Sequence, residues 1–554
     1  MATRFQQYGS MIKILADGWD SFLEVFKKAF QVIDDKSALR GWTPWALVWA
    51  LLILMGVSFG MLWLGDKIND SGMALTRFMA RAQAPLTAQF AYPAKARDRI
   101  TVVMYDPQFL QSSASAWPIS YQDHADALLR LASDPKARPK AILLDITFGQ
   151  ERDDPTITAL NQALCTLRYK YKVPVFLAAM SSPDNGRLTV RAGLGANLSG
   201  SEPTCFTLVG VDYLPDSLDG LAWSYPLSRH LTDSGWQPGP ADQSAQQPSY
   251  RSAAMTIAQD VAHLDLGEET APMALVWGHN SAPQADRPER LQHCRPGQPE
   301  LWTLIPGVLR RLWEDASSAP LCPYHRTLSM AQLGELPEDK LAPYLAGRYV
   351  LVGANVPGYN DFAESPVHGK LPGVYMHAMA LDNLLTYEGN YKLSAEWTLP
   401  PAWPLLAPGL LAVSAVFAVH LFWSWFLGQK RFHLHERYQW TREIVRKLTD
   451  PCPIKRTQRV AQLVATGLAW LLRLSLQTVA AMGLIAFLQG WFRIGMLPVV
   501  ELVSMTLLAE GLGYMKKMKW TLFGPPASNP LRSDEPCKHS AACAAALKEK
   551  RHEP

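Results

Sequence analysis

Between residues 95 and 390 short apolar runs alternate with amphipathic stretches, the rhythm of a strand-and-helix fold. Ile100 to Tyr105 is a run of β-branched and apolar residues that ends at Asp106, and Ala141 to Leu144 is a second that ends at Asp145. Tyr349 to Val352 is a third, which Gly353 is expected to end with a sharp turn. Further strands are predicted at Val173 to Ala178, Phe206 to Val211 and Ala274 to Trp277. Helical spacing runs from His124 to Ala132, Thr156 to Leu167, Ser252 to Leu264, Leu304 to Glu314 and from Val374 through Leu384. Strands alternating with helices imply a mostly parallel sheet flanked by helices, with right-handed crossovers. Two polar, proline-containing passages, His230 to Ser249 and His279 to Gln298, are predicted surface loops.

Outside that block the pattern changes. Four stretches, 44–65, 402–427, 460–489 and 496–515, are long and apolar enough to suggest transmembrane helices, one amino-terminal and three carboxyl-terminal. The fold class expected from the whole chain is therefore an α/β domain joined to an all-α membrane bundle of four transmembrane helices. Residues 1–43 hold an amphipathic segment, 66–94 a stalk helix and linker, 428–459 a basic loop, and 516–554 a polar tail expected to be disordered. Lys and Arg in the basic loop and after the last span place both termini in the cytoplasm of a bacterial inner membrane, and residues 95–390 in the periplasm. Arg473 and Glu501 fall inside predicted spans and are expected to pair there; an ion path is the alternative.

Composition changes that picture little. The formal net charge of +4 is too small to suggest nucleic acid as a partner. Of the seven cysteines, Cys165, Cys205, Cys294 and Cys322 fall in the exported block, where disulfides form. Nearness in sequence favours Cys165 with Cys205 and Cys294 with Cys322, although four cysteines allow three pairings and four free thiols remain an alternative.

Candidate chemistry gathers where strands end. Asp106 and Asp145 close two strands expected to be neighbours, and Asn360 and Asp361 follow a third, so these side chains could line a pocket, with or without a divalent cation, at the carboxyl edge of the sheet. The competing expectation is that each aspartate caps a turn or helix through backbone amides. Trp117 and His377 complete the candidate ligand-binding set, Trp117 with a packing role and His377 with a structural hydrogen bond as the alternatives. No Gly-x-Ser-x-Gly, His-Glu-x-x-His or Cys-x-x-Cys motif occurs. Catalytic residues are accordingly not expected, and no metal ligand or cofactor is assigned, with metal at the strand-end aspartates left open.

DRITVVMYD, AWPISYQDHADALL, KAILLDITF, VDYLPDSLDG and VLVGANVPGYNDFAESPVHGKLPGVYMHAMALDNLL together resemble an extracytoplasmic CHASE domain of the second type. The resemblance covers roughly residues 95 to 390, and its final run is the most specific part. It departs from the family's usual pattern at Ile119-Ser120-Tyr121 and at Leu221-Ala222-Trp223, where arginines are usual nearby. Such domains stand ahead of kinases or cyclases, and no output domain of that kind is expected here. The resemblance implies a non-enzymatic sensor that binds a ligand or partner outside the membrane and relays to a separate cytoplasmic protein. Lipid, protein partners and a homo-oligomer are the expected associations. A structural subunit of an envelope or secretion complex is the alternative, and a metal-dependent hydrolase would have to rest on the aspartates alone.

Overall fold

The structure is a computed structural model that describes residues 87–88, 92–182, 187–195, 205–212, 215–216, 220–232, 235–238, 249–266, 272–282, 294–297, 321–356, 358, 361–393, 490 and 493. All of them belong to one of the chain's two compact units, Gly60–Val419 with Arg473–Val503. In chain order the first half contains β1 (Ile100–Tyr105), α1 (Pro107–Ser112), α2 (Tyr121–Ala132), β2 (Ala141–Leu144), α3 (Ile157–Cys165), β3 (Val175–Ser181), β4 (Leu188–Thr189) and β5 (Thr207–Gly210). There follow β6 (Ser224–Tyr225), β7 (Ser228–Thr232), β8 (Gly235–Pro238), β9 (Ser249–Arg251), α4 (Ala253–Asp260) and β10 (Met273–Ala274). The last part contains β11 (Arg326–Ser329), α5 (Met330–Glu335), α6 (Ala342–Leu345), β12 (Tyr349–Ala354), β13 (Phe362–Ser365), β14 (Gly369–Pro372) and α7 (Val374–Tyr387).

The main sheet runs β11-β1-β12-β2-β3-β5 with every pair parallel, and β4 adds an antiparallel edge to β3. Strand β12, which comes late in the chain, lies between β1 and β2, so those two are not the neighbours expected from the sequence. Its register matches Val350 with Thr101 on one side and with Ile142 on the other. All six residues of β1 and of β12 are buried, as strands covered on both faces require.

Alternation along the strands builds two cores. Val102, Met104, Leu143, Phe176 and Leu351 face a layer that contains α4 and α7. Val103, Tyr105, Ile142, Leu144, Leu177 and Val352 face α2, α3, α5 and α6. Helix α2 starts at a capping box in which Ser120 and Asp123 satisfy each other's backbone amides, and Ser329 and Gln332 do the same for α5. The disulfides join Cys165 to Cys205 and Cys294 to Cys322, with Cα atoms 4.7 and 4.8 Å apart.

Three further expectations are corrected. The all-α bundle of four transmembrane helices is not supported, because among the described residues no helix is long and apolar enough to cross a membrane. The longest, α7, has 14 residues and so spans about 21 Å against the roughly 30 Å of a bilayer's hydrocarbon. The four candidate spans, the amphipathic segment, the stalk before Thr87, the basic loop, the tail, the Leu304 to Glu314 helix and the Arg473–Glu501 pair lie outside the described residues. The passage expected to be a loop from His230 to Ser249 instead contributes to an antiparallel ribbon, β8-β7-β9, in which Leu231 pairs with Trp236 and Arg229 with Tyr250. Gly353 does not end its strand; it lies within β12, and its missing side chain serves packing, as described next.

Candidate functional site

Helix α7 carries His377 in its first turn, and two glycines bring that turn down onto the carboxyl edge of the sheet. A Cβ on Gly353 would lie 2.6 Å from Val374 Cγ1, so β12 must be bare there for α7 to approach. A Cβ on Gly373 would lie 2.4 Å from Asp361 Oδ1, and the Gly373 amide donates to the Asp361 carbonyl at 3.0 Å. Asp361 is thereby held beside the start of α7, after β12 and before β13.

Asp145 reaches the same place from β2. Its backbone amide donates to Val352 O at 2.8 Å, which extends the ladder one residue beyond the strand and fixes where its side chain begins. The carboxylate lies with Oδ1 3.8 Å from His377 Nε2, too long for a hydrogen bond but well within Coulombic reach. Asp145 is 4% exposed, and its Oδ2 is buried without a hydrogen-bond partner.

Tyr225, at the end of β6, fixes the histidine ring. Its Oη lies 2.8 Å from His377 Nδ1, with the rings edge to face at 5.6 Å. The Ala254 amide donates to that oxygen at 3.4 Å. We assign the phenolic proton to the bond with Nδ1, which leaves the imidazole proton on Nε2, toward Asp145. A neighbouring acid, Asp212, is held differently: it accepts from Tyr250 Oη and lies 3.6 Å from the Arg229 guanidinium.

Burial dominates the electrostatics. It pushes the Asp145 carboxyl up to about 7. Burial, reinforced by the negative charge of Asp145 and opposed by His377, raises Asp361 to about 6. Burial lowers His377 to about 4 against the pull of Asp361 and Asp212, so the ring is neutral near neutral pH. Asp212 is raised by burial, with Arg229 acting the other way.

A second buried acid, this one on α7, provides the contrast. Asp382 is fully buried, and Oδ2 lies 3.0 Å from His325 Nε2 while Oδ1 accepts from Tyr92 Oη and, at 3.2 Å, from Thr386 Oγ1. Next to it Asn383 donates to Met379 O at 2.8 Å and exchanges hydrogen bonds with the Val276 backbone at 3.1 Å. Asp382 is thus a satisfied structural acid that ties α7 to Tyr92 at the start of the domain. Asp145 has no such set of donors.

Of the six residues expected to bind ligand, the structure brings Asp145, Asp361 and His377 together. Asp106 instead caps α1, accepting from the Phe109 amide at 3.0 Å and from Ser329 Oγ at 2.8 Å. Trp117 packs on the opposite face of the sheet, its ring 6.3 Å from that of Tyr105. Asn360 lies outside the described residues. The sequence reading missed Tyr225, Asp212 and Arg229. Asp212 was within reach, since it lies in VDYLPDSLDG, but nothing local points to Tyr225, on a strand of two residues. Among the described residues no group of three or more His, Cys, Asp or Glu could hold a metal ion.

Neither the curated proteins nor the solved structures contain a match to this chain. The family model of the CHASE2 domain matches residues 45–424, well over half of the chain's 554 residues. Its described core is the parallel α/β layer whose carboxyl edge carries the His377 cluster, and both disulfides fit a domain outside the cytoplasm. The chain therefore belongs to the CHASE2 domain family of extracellular sensory domains.

Proposed function

We propose that this domain binds a small ligand at the Asp145–Asp361–His377 cluster and passes the event along α7 to the ends of the domain, where a separate protein partner responds. The observation that carries this is the pairing of an unsatisfied acid at one end of α7 with a satisfied one at the other. A buried carboxylate oxygen without a donor costs several kcal/mol, and such a cost is retained where a ligand supplies the donor. Asp382 bonds Tyr92 on the incoming segment, and the Tyr92 and Tyr387 rings meet at 5.7 Å. Tyr391, just past the helix, is fully buried, so incoming and outgoing segments are both anchored to the same end of α7.

The role is binding, with no bond made or broken: the neutral His377 and the two aspartates are recognition groups in this reading. Amide hydrogen exchange on the full chain tests the relay without a ligand. Asp145→Asn removes the buried charge next to His377 and should change exchange in residues 379–387 and 92–99 by severalfold. If those segments exchange as in the native chain, the relay is wrong. A fixed stoichiometric assembly from native membranes, with exchange unaltered, would favour a structural subunit instead.

A further inference from the structure

We propose that the cluster takes a protonated primary amine, the ammonium head of a small organic cation, held between the carboxylates of Asp145 and Asp361. This deepens the sensory reading and rests on it.

The orphaned atom that lies beside His377 is an acceptor. Asp145 Oδ2 is a buried acceptor with no donor, and Asp361 is close enough to feel the charge of Asp145. What Asp145 lacks is therefore an N–H donor and a compensating positive charge. The neighbouring cations are engaged elsewhere: Arg229 pairs with Asp212, and Lys370 lies over the Phe362 ring at 4.3 Å. His377 is neutral, and its Nδ1 is taken by Tyr225. Two carboxylates that repel each other, with no Lys or Arg paired to either among the described residues, disfavour an anionic ligand. A primary ammonium brings three donors and one charge in a compact head, enough for both acids at once. A quaternary ammonium has no N–H to give the orphaned oxygen. A metal ion would need more ligands than these residues supply, since among the described residues no group of three or more His, Cys, Asp or Glu is placed to hold one.

The same geometry couples binding to pH. Among the described residues Asp145, Asp361, His377, Asp212, Arg229, Tyr225 and Lys370 are the titratable or charged groups around the site. An ammonium requires both carboxyls ionised, and burial holds them at about 7 and about 6, so affinity should strengthen as pH rises from 5 to 8.

Equilibrium dialysis of the full-length, disulfide-intact protein with radiolabelled methylammonium and ethylammonium tests this, with acetate, tetramethylammonium, magnesium and calcium as further probes. Saturable uptake of the primary amines is expected, weakened at least tenfold in both Asp145→Asn and Asp361→Asn and stronger at pH 8 than at pH 5. Near-ultraviolet circular dichroism establishes that each variant is folded, and either variant alone suffices. Absence of saturable amine binding, amine binding indifferent to both substitutions, or tight binding of acetate or a divalent cation at Asp145 would each overturn the proposal. If the amines fail while Asp145→Asn still alters exchange at the far end of α7, the ligand class is wrong and the relay survives. If exchange is unaltered, the relay falls whatever binds.

Discussion

Replacing Asp145 with Asn should make the domain more stable, by an amount that depends on pH in a defined way. In the unfolded chain an aspartate ionises near 3.8, whereas in the folded domain burial holds Asp145 at about 7. The folded state therefore binds more protons than the unfolded state between those values, and stability falls as pH rises through that window. Below about pH 4 the carboxyl is protonated in both states and resembles the amide. Above pH 7 it is charged in both, and the folded state bears the desolvation cost. Three pH units at about 1.4 kcal/mol each set a ceiling of about 4 kcal/mol, and relaxation around the charge brings the realised gap to about 2–4 kcal/mol.

His377 acts with the opposite sign. Its ring is held at about 4 against an ordinary 6.5, so the folded state binds fewer protons and stability rises with pH between those values, by up to about 3 kcal/mol. In the native chain the two trends largely cancel from pH 4 to 6.5, with Asp361, partly exposed and therefore discounted, adding a small fall up to about pH 6. In Asp145→Asn the rise from His377 should emerge. Urea unfolding of the full chain with disulfides intact, followed by tryptophan fluorescence at pH 4, 5, 6, 7 and 8, gives both curves. The variant should match the native chain at pH 4 and exceed it by a gap that grows to pH 7. A gap that is constant with pH, or a variant less stable at pH 8, would refute the argument that Asp145 is a buried, uncompensated acid.

Two further substitutions probe the frame around the site. Gly353→Ala puts a methyl 2.6 Å from Val374 Cγ1 and should cost about 1–3 kcal/mol in urea unfolding as α7 is pushed off the sheet edge, with exchange in its first turn speeding up. Asp106→Ala removes the cap of α1 and a partner of Ser329, and should cost about 1–2 kcal/mol at neutral pH while leaving amine uptake unchanged; altered uptake would return Asp106 to the site.

The contrast between Asp106 and Asp145 marks how far the sequence could lead. Both close an apolar run, and the runs themselves, with β12 and α7, are legible because a strand covered on both faces must be continuously apolar. The fate of each aspartate depends on chain order in the sheet, which no local pattern records. β11 pairs with β1 and delivers Ser329 to Asp106, whereas β12 lies between β1 and β2 and brings Asp361 and α7 to Asp145. The β8-β7-β9 ribbon was hidden because its strands are short and one ends in proline, so its register comes from cross-strand partners such as Tyr250. Tyr225 shares that fate: a strand of two residues derives its place entirely from β10 and α4.

Helix α7 is the element whose composition and function coincide. Surface helices show an apolar stripe, but in α7 every residue from Val374 to Leu385 is buried, including His377, Asp382 and Asn383. The polar three are spread along it at the sheet edge and near the incoming segment: His377 is bonded to Tyr225, Asp382 to Tyr92 and His325, and Asn383 to the Val276 backbone and, at 3.5 Å, to the Tyr92 hydroxyl. A helix enclosed on all sides cannot yield gradually at one end, because a close-packed interior shifts between discrete packings. A charge supplied or removed beside His377 therefore acts on the whole element, and the buried Asp382–Tyr92 bond at the other end is where the displacement must be absorbed. Tyr92→Phe deletes that bond and should leave amine uptake intact while abolishing the exchange response of residues 92–99 to Asp145→Asn. A response that persists without the Tyr92 hydroxyl would mean that coupling travels through the sheet and not through α7.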